Sequence, residues 1–492
     1  MDDERKIIFV LCILAGIHVF VFSAAFPFFN SVDEPIHFDL AVKYSQGHLP
    51  RGLETISPES ALYLSLYSSL AYLGTSDRLP GGQFPSPPWM QPVEQVRASL
   101  AVNIPAWEGQ KNYEAAQPPL YYALAGFWWD IGKEIGFQGE RLLYWLRFLN
   151  VALMMAMVWI AYVVTRAIFP DNMFPRIGAP ALLAFMPQTT FYSIENDVLS
   201  PVCFGIALVC LVRFWQAEAP TVRLGMATGL ALAATGLTKF TNLPLLAVSG
   251  SLILLKIFQL FKSNKLPAAI PSTIALAICA GLPMAGWAIW TKHAFGDFTG
   301  AEAKIEHLGW THKPIGEWFH HPIFTPGGFW FFVSGNLSTF WQGEFLWHAK
   351  PLAAPAVDFI YAMLSVIFIG TTLVDLSRGS NISDVPQRQI LWFAFAAVAG
   401  ALAFFGFLSL IYDFHNCFYP SRERPYFISG RLWLGALIPF LLLFIYGMDR
   451  LLNHFGKAAK FYALAAMILF MLASETMIDW PVFSNEFNWF HL

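Results

Sequence analysis

Apolar residues fill this chain in long blocks, and the polar and charged residues collect between them. A helix rises 1.5 Å per residue, so about 20 mostly apolar residues cross a hydrocarbon layer roughly 30 Å thick. Blocks of that kind run near 7 to 29, 119 to 136, 147 to 169, 198 to 215, 224 to 240, 243 to 262, 267 to 291, 356 to 375, 389 to 412, 431 to 447 and 461 to 478. The pattern predicts an all-α polytopic membrane protein, one membrane domain over 1–492, with about eleven transmembrane helices in a range of roughly nine to thirteen.

Lysine and arginine near the ends of spans mark cytoplasmic connections. Arg213 with Arg223, Lys256 with Lys262 and Lys265, Arg378 with Arg388, and Arg450 with Lys457 and Lys460 fall at alternate connections. These assign 292–355, 413–430 and the C-terminus to the outside and the N-terminus to the cytoplasm. A further apolar stretch, about 177 to 194, is read as outside or re-entrant, which leaves Arg166 and Arg176 outside against the charge rule.

Three outside stretches exceed simple connections: 30–117, 292–355 and 413–430. In the first, Ser57-Pro58-Glu59 predicts an N-cap with proline at the first helical position, leading into Leu62, Leu66, Leu70 and Leu73 at helical spacing. Pro80, Pro85, Pro87, Pro88 and Pro92 then enforce a non-helical segment.

Composition agrees with lipid as the main solvent: 56% of residues are hydrophobic and 13% charged, against about 25% charged in soluble domains. A net charge of −3 argues against a nucleic-acid partner, which calls for a basic footprint. Cys12, Cys203, Cys210 and Cys279 lie in apolar stretches, so no disulfide framework is expected. The apolar run after the charged start, Met1 to Lys6, is longer than the roughly 7–15 residues of a signal peptide and reads as a retained span.

Charged residues at span ends supply the candidate chemistry. Asp33 and Glu34, in Ser31-Val32-Asp33-Glu34-Pro35-Ile36-His37, follow the first span by a few residues. Adjacent carboxylates at a membrane surface suit a general base with an orienting or metal-binding neighbour, since apolar surroundings raise a carboxylate's pKa. Helix capping explains them as well, with Asp33 as N-cap or Ser31 and Glu34 as a capping box. Glu195-Asn196-Asp197 either faces a cavity or marks where a span meets water. Lys239, between two apolar segments, fits a phosphate contact or a snorkelling interfacial lysine. In Arg422, Arg424 and Arg431, the planar guanidinium suits phosphate, whereas Asp413 and Glu423 offer Arg422 and Arg424 local partners. His307, His312, His320, His321 and His348 share a loop with five tryptophans. They fit zinc only without any tight ligand signature, and interfacial aromatic packing is the other reading.

In order along the chain, Asp33-Glu34-Pro35-Ile36-His37, Gln117-Pro118-Pro119-Leu120-Tyr121-Tyr122, Arg147-Phe148-Leu149-Asn150, Glu195-Asn196-Asp197, Gly229-Leu230 with Gly236-Leu237-Thr238-Lys239, and Gly430-Arg431 resemble the GT-C class of membrane glycosyltransferases. That class includes protein O-mannosyltransferases and lipid A aminoarabinose transferases. The resemblance is nearest to bacterial members with an Asp-Glu-Pro-x-His motif in the first loop. It implies an enzyme of the bacterial cytoplasmic membrane, with its catalytic face outside, that moves a hexose or pentose from a polyprenyl-phosphate donor. The acceptor is implied to be a hydroxyl of an envelope glycan, lipid or protein. Asp33 is implied as base with Glu34 beside it, and His37, Tyr121, Tyr122, Glu195, Asp197, Lys239 and Arg431 as substrate contacts. No cofactor is required, and a divalent metal is compatible. Leu432 departs from the Arg-Tyr pattern of the class. With no large soluble C-terminal domain expected, acceptor recognition falls to 30–117 and 292–355. The alternative is a transporter or lipid flippase without transferase activity, although no internal repeat supports it. A structural subunit of an envelope complex ranks third.

Overall fold

The structure, a computed structural model, describes residues 3–72, 74–378, 385–417 and 419–491. Among these the chain is helical apart from two short antiparallel pairs, 311–312 with 412–413 and 346–347 with 350–351. Nine helical stretches among the described residues are long and apolar enough to cross a membrane, which bears out the all-α polytopic expectation. A shorter apolar helix, Val222–Thr238, joins them.

Helix α1 (Asp3–Ala25) opens the chain. A layer of α2 (Glu34–Ser45), α3 (Pro58–Tyr67), α4 (Val93–Glu108), α5 (Leu120–Ile135) and α6 (Gly139–Arg147) then stays at the Ala25 end of α1, the loop face. Helix α7 (Leu149–Ile168) returns to the opposite face, and α8 (Met173–Ala184) comes part of the way back. Irregular chain over 185–198 completes that return. Helices α9 (Leu199–Gln216), α10 (Val222–Thr238), α11 (Leu243–Lys262) and α12 (Leu266–Phe295) follow up and down. Further loop-face elements, α13 (Ala301–Leu308), α14 (Ile315–Trp318) and α15 (Pro326–Gln342), precede α16 (Pro355–Arg378), α17 (Val385–Ile411), α18 (Leu437–Leu452) and α19 (Lys457–Phe483).

Two expectations change. The 119–136 block does not cross. Trp129 of α5 packs on Phe38 and Tyr63, and Lys133 pairs with Glu59 at 2.9 Å, all within the loop-face layer. Conversely, the 177–194 block contains a helix that does start from the opposite face. Arg176 reaches Glu4 at the start of α1 at 2.9 Å, and Asn172 reaches Asp449 at the end of α18 at 2.9 Å. Apolar content alone could not separate a helix buried in a surface layer from one buried in lipid. The exchange preserves the sidedness of everything downstream. It also brings Arg166 and Arg176 to the face that holds Arg213, Arg450 and Lys460, removing the exception to the charge rule. The first loop-face segment consequently extends from 30 to 148.

Helix α3 begins as its sequence predicts, Ser57 Oγ accepting from Ser60 N at 3.3 Å. It stops at Tyr67, so Leu70 lies beyond it, and Leu73 lies outside the described residues. Buried polar bonds fix the layer. Asp39 takes Lys43 at 2.9 Å, Ser57 N at 2.8 Å and Asn112 Nδ2 at 2.7 Å. In the spanning part, α18 is apolar all round and buried along most of its length, as a central helix must be. Outer helices instead expose residues such as Leu254, Leu282 and Ile289, the surface that lipid covers.

Candidate functional site

The neighbours Asp33 and Glu34 part company in one turn of chain. Asp33 sits at the N-cap of α2 with φ 68°, left-handed, and its side chain makes no capping bond. The capping reading is thereby corrected. It is the backbone carbonyl of Asp33 that accepts from Ile36 N and His37 N, each at 3.0 Å, and Ser31 Oγ turns to Glu195 rather than to the helix. The carboxylate of Asp33 is left free to point elsewhere. It accepts from Arg431 Nη2 at 2.6 Å and from the Tyr113 hydroxyl at 2.6 Å.

Glu34 turns into the protein. It accepts from Arg147 Nη2 at 2.7 Å, Phe29 N at 2.8 Å and Ile194 N at 3.0 Å, and its side chain is 1% exposed. Arg147 also donates to the carbonyls of Ser23, Phe26 and Pro27, satisfying acceptors that the end of α1 leaves open. This pair joins α1, α2 and α6, with no exposed atom to offer a substrate.

Arg431 is the hub of the other group. Its Nη1 lies 3.2 Å from both Glu195 Oε2 and Asp197 Oδ2, and its Nε lies 3.3 Å from Glu344 Oε2 without hydrogen-bond alignment. Lys239 Nζ donates to both oxygens of Asp197, at 2.7 and 2.6 Å. Glu195 accepts from Ser31 at 2.5 Å and Ser193 at 3.0 Å, and Glu344 accepts from Ser429. Four carboxylates thus surround two cations. The group reaches solvent through Asp33 and Glu344, whose side chains are 17% and 16% exposed.

An excess of buried negative charge must be relieved by protons or by ligands. Burial raises Glu195 to about 7 against the opposing pull of Arg431. Burial likewise raises Glu344. Burial acts the same way on Asp33, but Arg431, Lys304, His37 and the Tyr113 hydroxyl together outweigh it and hold this carboxyl well below the usual carboxylate range. At neutral pH the site therefore carries an ionised Asp33 and a Glu195 poised to hold a proton.

Local sequence explains how these side chains meet. A Cβ on Gly430 would collide with the backbone of Phe340, so glycine lets the segment bearing Arg431 lie against α15. Gly343 has φ 86°, and a Cβ there would strike Thr189 and Gln188, so it turns the chain to present Glu344. A backbone bridge between Ser31 and Phe345 ties that turn to the first loop. Lys239 lies at the break between α10 and the short turn that leads into α11.

Of the residues singled out from sequence, Asp33, Glu195, Asp197, Lys239 and Arg431 converge. His37 and Tyr122 form an adjoining pair, Nδ1 to hydroxyl 2.7 Å with the rings stacked, and Tyr121 is buried beside them. Burial lowers His37 to about 4, against the pull of Glu114 and Asp33. Glu34 is withdrawn from the group. Glu344 and Tyr113 were not anticipated, and Ser31 was expected only as a cap. A lone acid among Trp341, Phe345 and Trp347 was the available signal for Glu344. Asn30, one residue before Ser31, is fully buried, and neither end of its amide has a partner among the described residues. Orphaned polar atoms of this kind call for water or ligand.

Four of the five loop histidines engage in ring contacts: His307 with Tyr113, His312 with Tyr412, His321 with Tyr426, and His348 with Phe84 and Trp347. Among the described residues no three His, Cys, Asp or Glu side chains are grouped to hold a metal. In the acidic group Arg431 occupies the centre of the four carboxylates. Arg422 pairs with Asp413 at 2.9 Å.

No curated protein matches the chain. Among solved structures, the oligosaccharyltransferase of Archaeoglobus fulgidus, crystallised with Zn and sulfate, is similar over 75% of this chain at 12% identity and a TM-score of 0.36. The match covers 45% of that protein, so the chain spans less than half of its length. A family described as "Predicted membrane protein (DUF2142)" matches residues 16–412. With four-fifths of its length inside that match, the chain belongs to this family of membrane proteins.

Proposed function

We propose that the protein is a glycosyltransferase that moves a sugar from a polyprenyl-phosphate donor to a hydroxyl acceptor at the loop face. That face would be the outer one of a bacterial cytoplasmic membrane, and the product an envelope glycan or lipid. The observation that carries this reading is the convergence of Asp33, Glu195, Asp197 and Lys239 on Arg431, from four separate parts of the chain, at the end where α9 and α10 meet the loop layer.

The chemistry needs one base and cationic stabilisation of a leaving phosphate. The acceptor oxygen forms a bond to the anomeric carbon while the bond from that carbon to the phosphate oxygen breaks. The acceptor proton passes to Asp33, and the polyprenyl phosphate leaves with the bonding electron pair. Arg431 and Lys239 supply the charge-assisted donors for that phosphate. They are held by carboxylates before the donor binds, and Glu195 resolves the competition, since on taking a proton it loosens its hold on Arg431. As Arg431 turns to the phosphate, Asp33 loses its strongest partner and becomes more basic.

The test is transfer by the purified full chain in liposomes, with a panel of decaprenyl-phosphate-linked hexoses and pentoses, followed as release of decaprenyl phosphate. Wild type is expected to release it and D33N to lose roughly 10²–10⁴-fold in rate. Full activity in D33N removes Asp33 as base. Lipid movement across the bilayer without release would favour the flippase reading.

A further inference from the structure

A cavity lies apart from the Arg431 group, where α14 and the 412–425 loop meet the end of α17. It has a volume of about 370 Å³ and is lined by Lys313, Glu317, His320, His321, Asp413 and Arg422 among others, a size suited to small ligands.

Most polar groups around it have partners. Arg422 donates to Asp413 through Nε at 3.3 Å and Nη2 at 2.9 Å, and Nη2 also meets His415 Nδ1 at 2.7 Å. His321 uses both ring nitrogens, accepting from Ile323 N and bonding the Pro425 carbonyl, so it forms a neutral wall. His320 spends Nδ1 on the Gly316 carbonyl. Two charges are left over. The Lys313 ammonium and the Glu317 carboxylate make no side-chain hydrogen bond or ion pair among the described residues, with each other included. Lys313 is nonetheless fixed at its backbone, N–H to Ile411 O at 2.8 Å and carbonyl to Trp318 Nε1 at 3.1 Å. Burial lowers its pKa, with Asp413 and Glu317 opposing, so an anion would find the ammonium already partly stripped of water.

The surroundings say where the ligand comes from. Ile315, Phe319, Phe324 and Phe329 are 67%, 74%, 60% and 59% exposed, and Trp318 packs on Phe407 near the loop-face end of α17. A cluster of exposed aromatic and aliphatic side chains at the end of a spanning helix belongs at the level where acyl chains meet headgroups. The cavity beside it is therefore at headgroup depth, with one cation and one anion that no hydrogen bond or ion pair engages among the described residues.

We propose that this cavity binds the zwitterionic headgroup of a membrane phospholipid, phosphoethanolamine in kind. Lys313, with the remaining Nη1 of Arg422, takes the phosphate, and Glu317 takes the primary ammonium. A bound lipid would hold the 311–331 segment against the bilayer. This site is independent of the reaction proposed for the Arg431 group.

The experiment uses the delipidated full chain, titrated with phosphatidylethanolamine or phosphatidylglycerol and read by native mass spectrometry. The two lipids share the phosphate and differ in the amine. Wild type is expected to retain phosphatidylethanolamine at least fivefold better than phosphatidylglycerol. K313A should weaken both about tenfold, and E317Q should abolish the preference while leaving phosphatidylglycerol unchanged. Because neither side chain is bonded, both variants should melt as wild type does. Equal retention of both lipids by wild type, K313A and E317Q would overturn the site. Displacement of the lipid by soluble O-phosphoethanolamine at equal concentration would overturn its assignment to a lipid, whereas resistance to displacement supports it.

Discussion

Asp33 and Glu34 are adjacent acids with one charge each, yet they enter opposite kinds of environment. Glu34 meets a single arginine and two backbone N–H groups, and nothing in its surroundings asks for more. Asp33 enters a group where Asp33, Glu195, Asp197 and Glu344 outnumber Arg431 and Lys239. A balanced buried pair is a structural joint, because removing either half strands the other. An unbalanced group holds its charges in a state that a proton or a ligand can change.

The largest effect follows from breaking the balanced side. Glu34→Ala leaves the Arg147 guanidinium buried beside Phe28 without its counter-charge. A loss of about 3–5 kcal/mol in stability is expected, seen as a large drop in melting temperature and in yield from membranes. Glu34→Gln keeps the shape and should recover part of it. If Glu34→Ala instead melts like wild type but loses transfer, the division drawn between the two acids is wrong.

Asp33→Asn should show the converse. Arg431 retains Glu195 and Asp197, so stability should fall by less than in Glu34→Ala while transfer collapses. The pH dependence separates members of the same group. The folded pKa of Glu195, about 7, lies above the ordinary value of 4.5. Its contribution to stability is therefore complete below about 4.5 and is lost as pH rises through 7. Asp33 is depressed, so its contribution is present above the ordinary carboxylate value and is lost as pH falls below it. Between pH 5 and 8 the melting temperature of wild type should fall relative to that of Glu195→Gln. Parallel profiles would show that Glu195 holds no proton in that range.

Much of this arrangement could be read before the fold was known, and what could not has definite causes. Lys239, Arg431 and the acids at 195 and 197 stood out because charge at the edge of an apolar block is costly without a partner. Their meeting was not visible, since it depends on α8 entering from the face opposite the loops and on 185–198 bringing the chain back. Hydropathy misplaced α5 and α8 because it measures burial and not the solvent against which burial occurs. Asp33 and Glu34 looked alike because helix-start chemistry treats both as caps. Their separation comes from the left-handed turn at Asp33, and the identities of the residues do not reveal it. Glu344 and Tyr113 carried no motif, and only Gly343, with its positive φ and crowded surroundings, hints that the Glu344 turn is built for a purpose.

The smallest effect concerns Tyr113, which sharpens the contrast at a single hydrogen bond. Its hydroxyl donates to Asp33 Oδ1 at 2.6 Å and helps to hold that carboxyl ionised. Glu34 accepts instead from the backbone N–H groups of Phe29 and Ile194, which no substitution of a side chain removes. Tyr113→Phe deletes one charge-assisted bond on the Asp33 side and leaves Arg431 in place. A bond of this class contributes about 1.5–3 kcal/mol at most, and the exposed edge of Asp33 admits water as a substitute, so the cost should lie at the bottom of that range or below it. On the proposed mechanism the loss also makes Asp33 a stronger base. The expected result is a change in transfer of under about tenfold, with the acid limb of the pH–rate profile moved to higher pH. A rate loss as large as that of Asp33→Asn would place Tyr113 in the reaction itself.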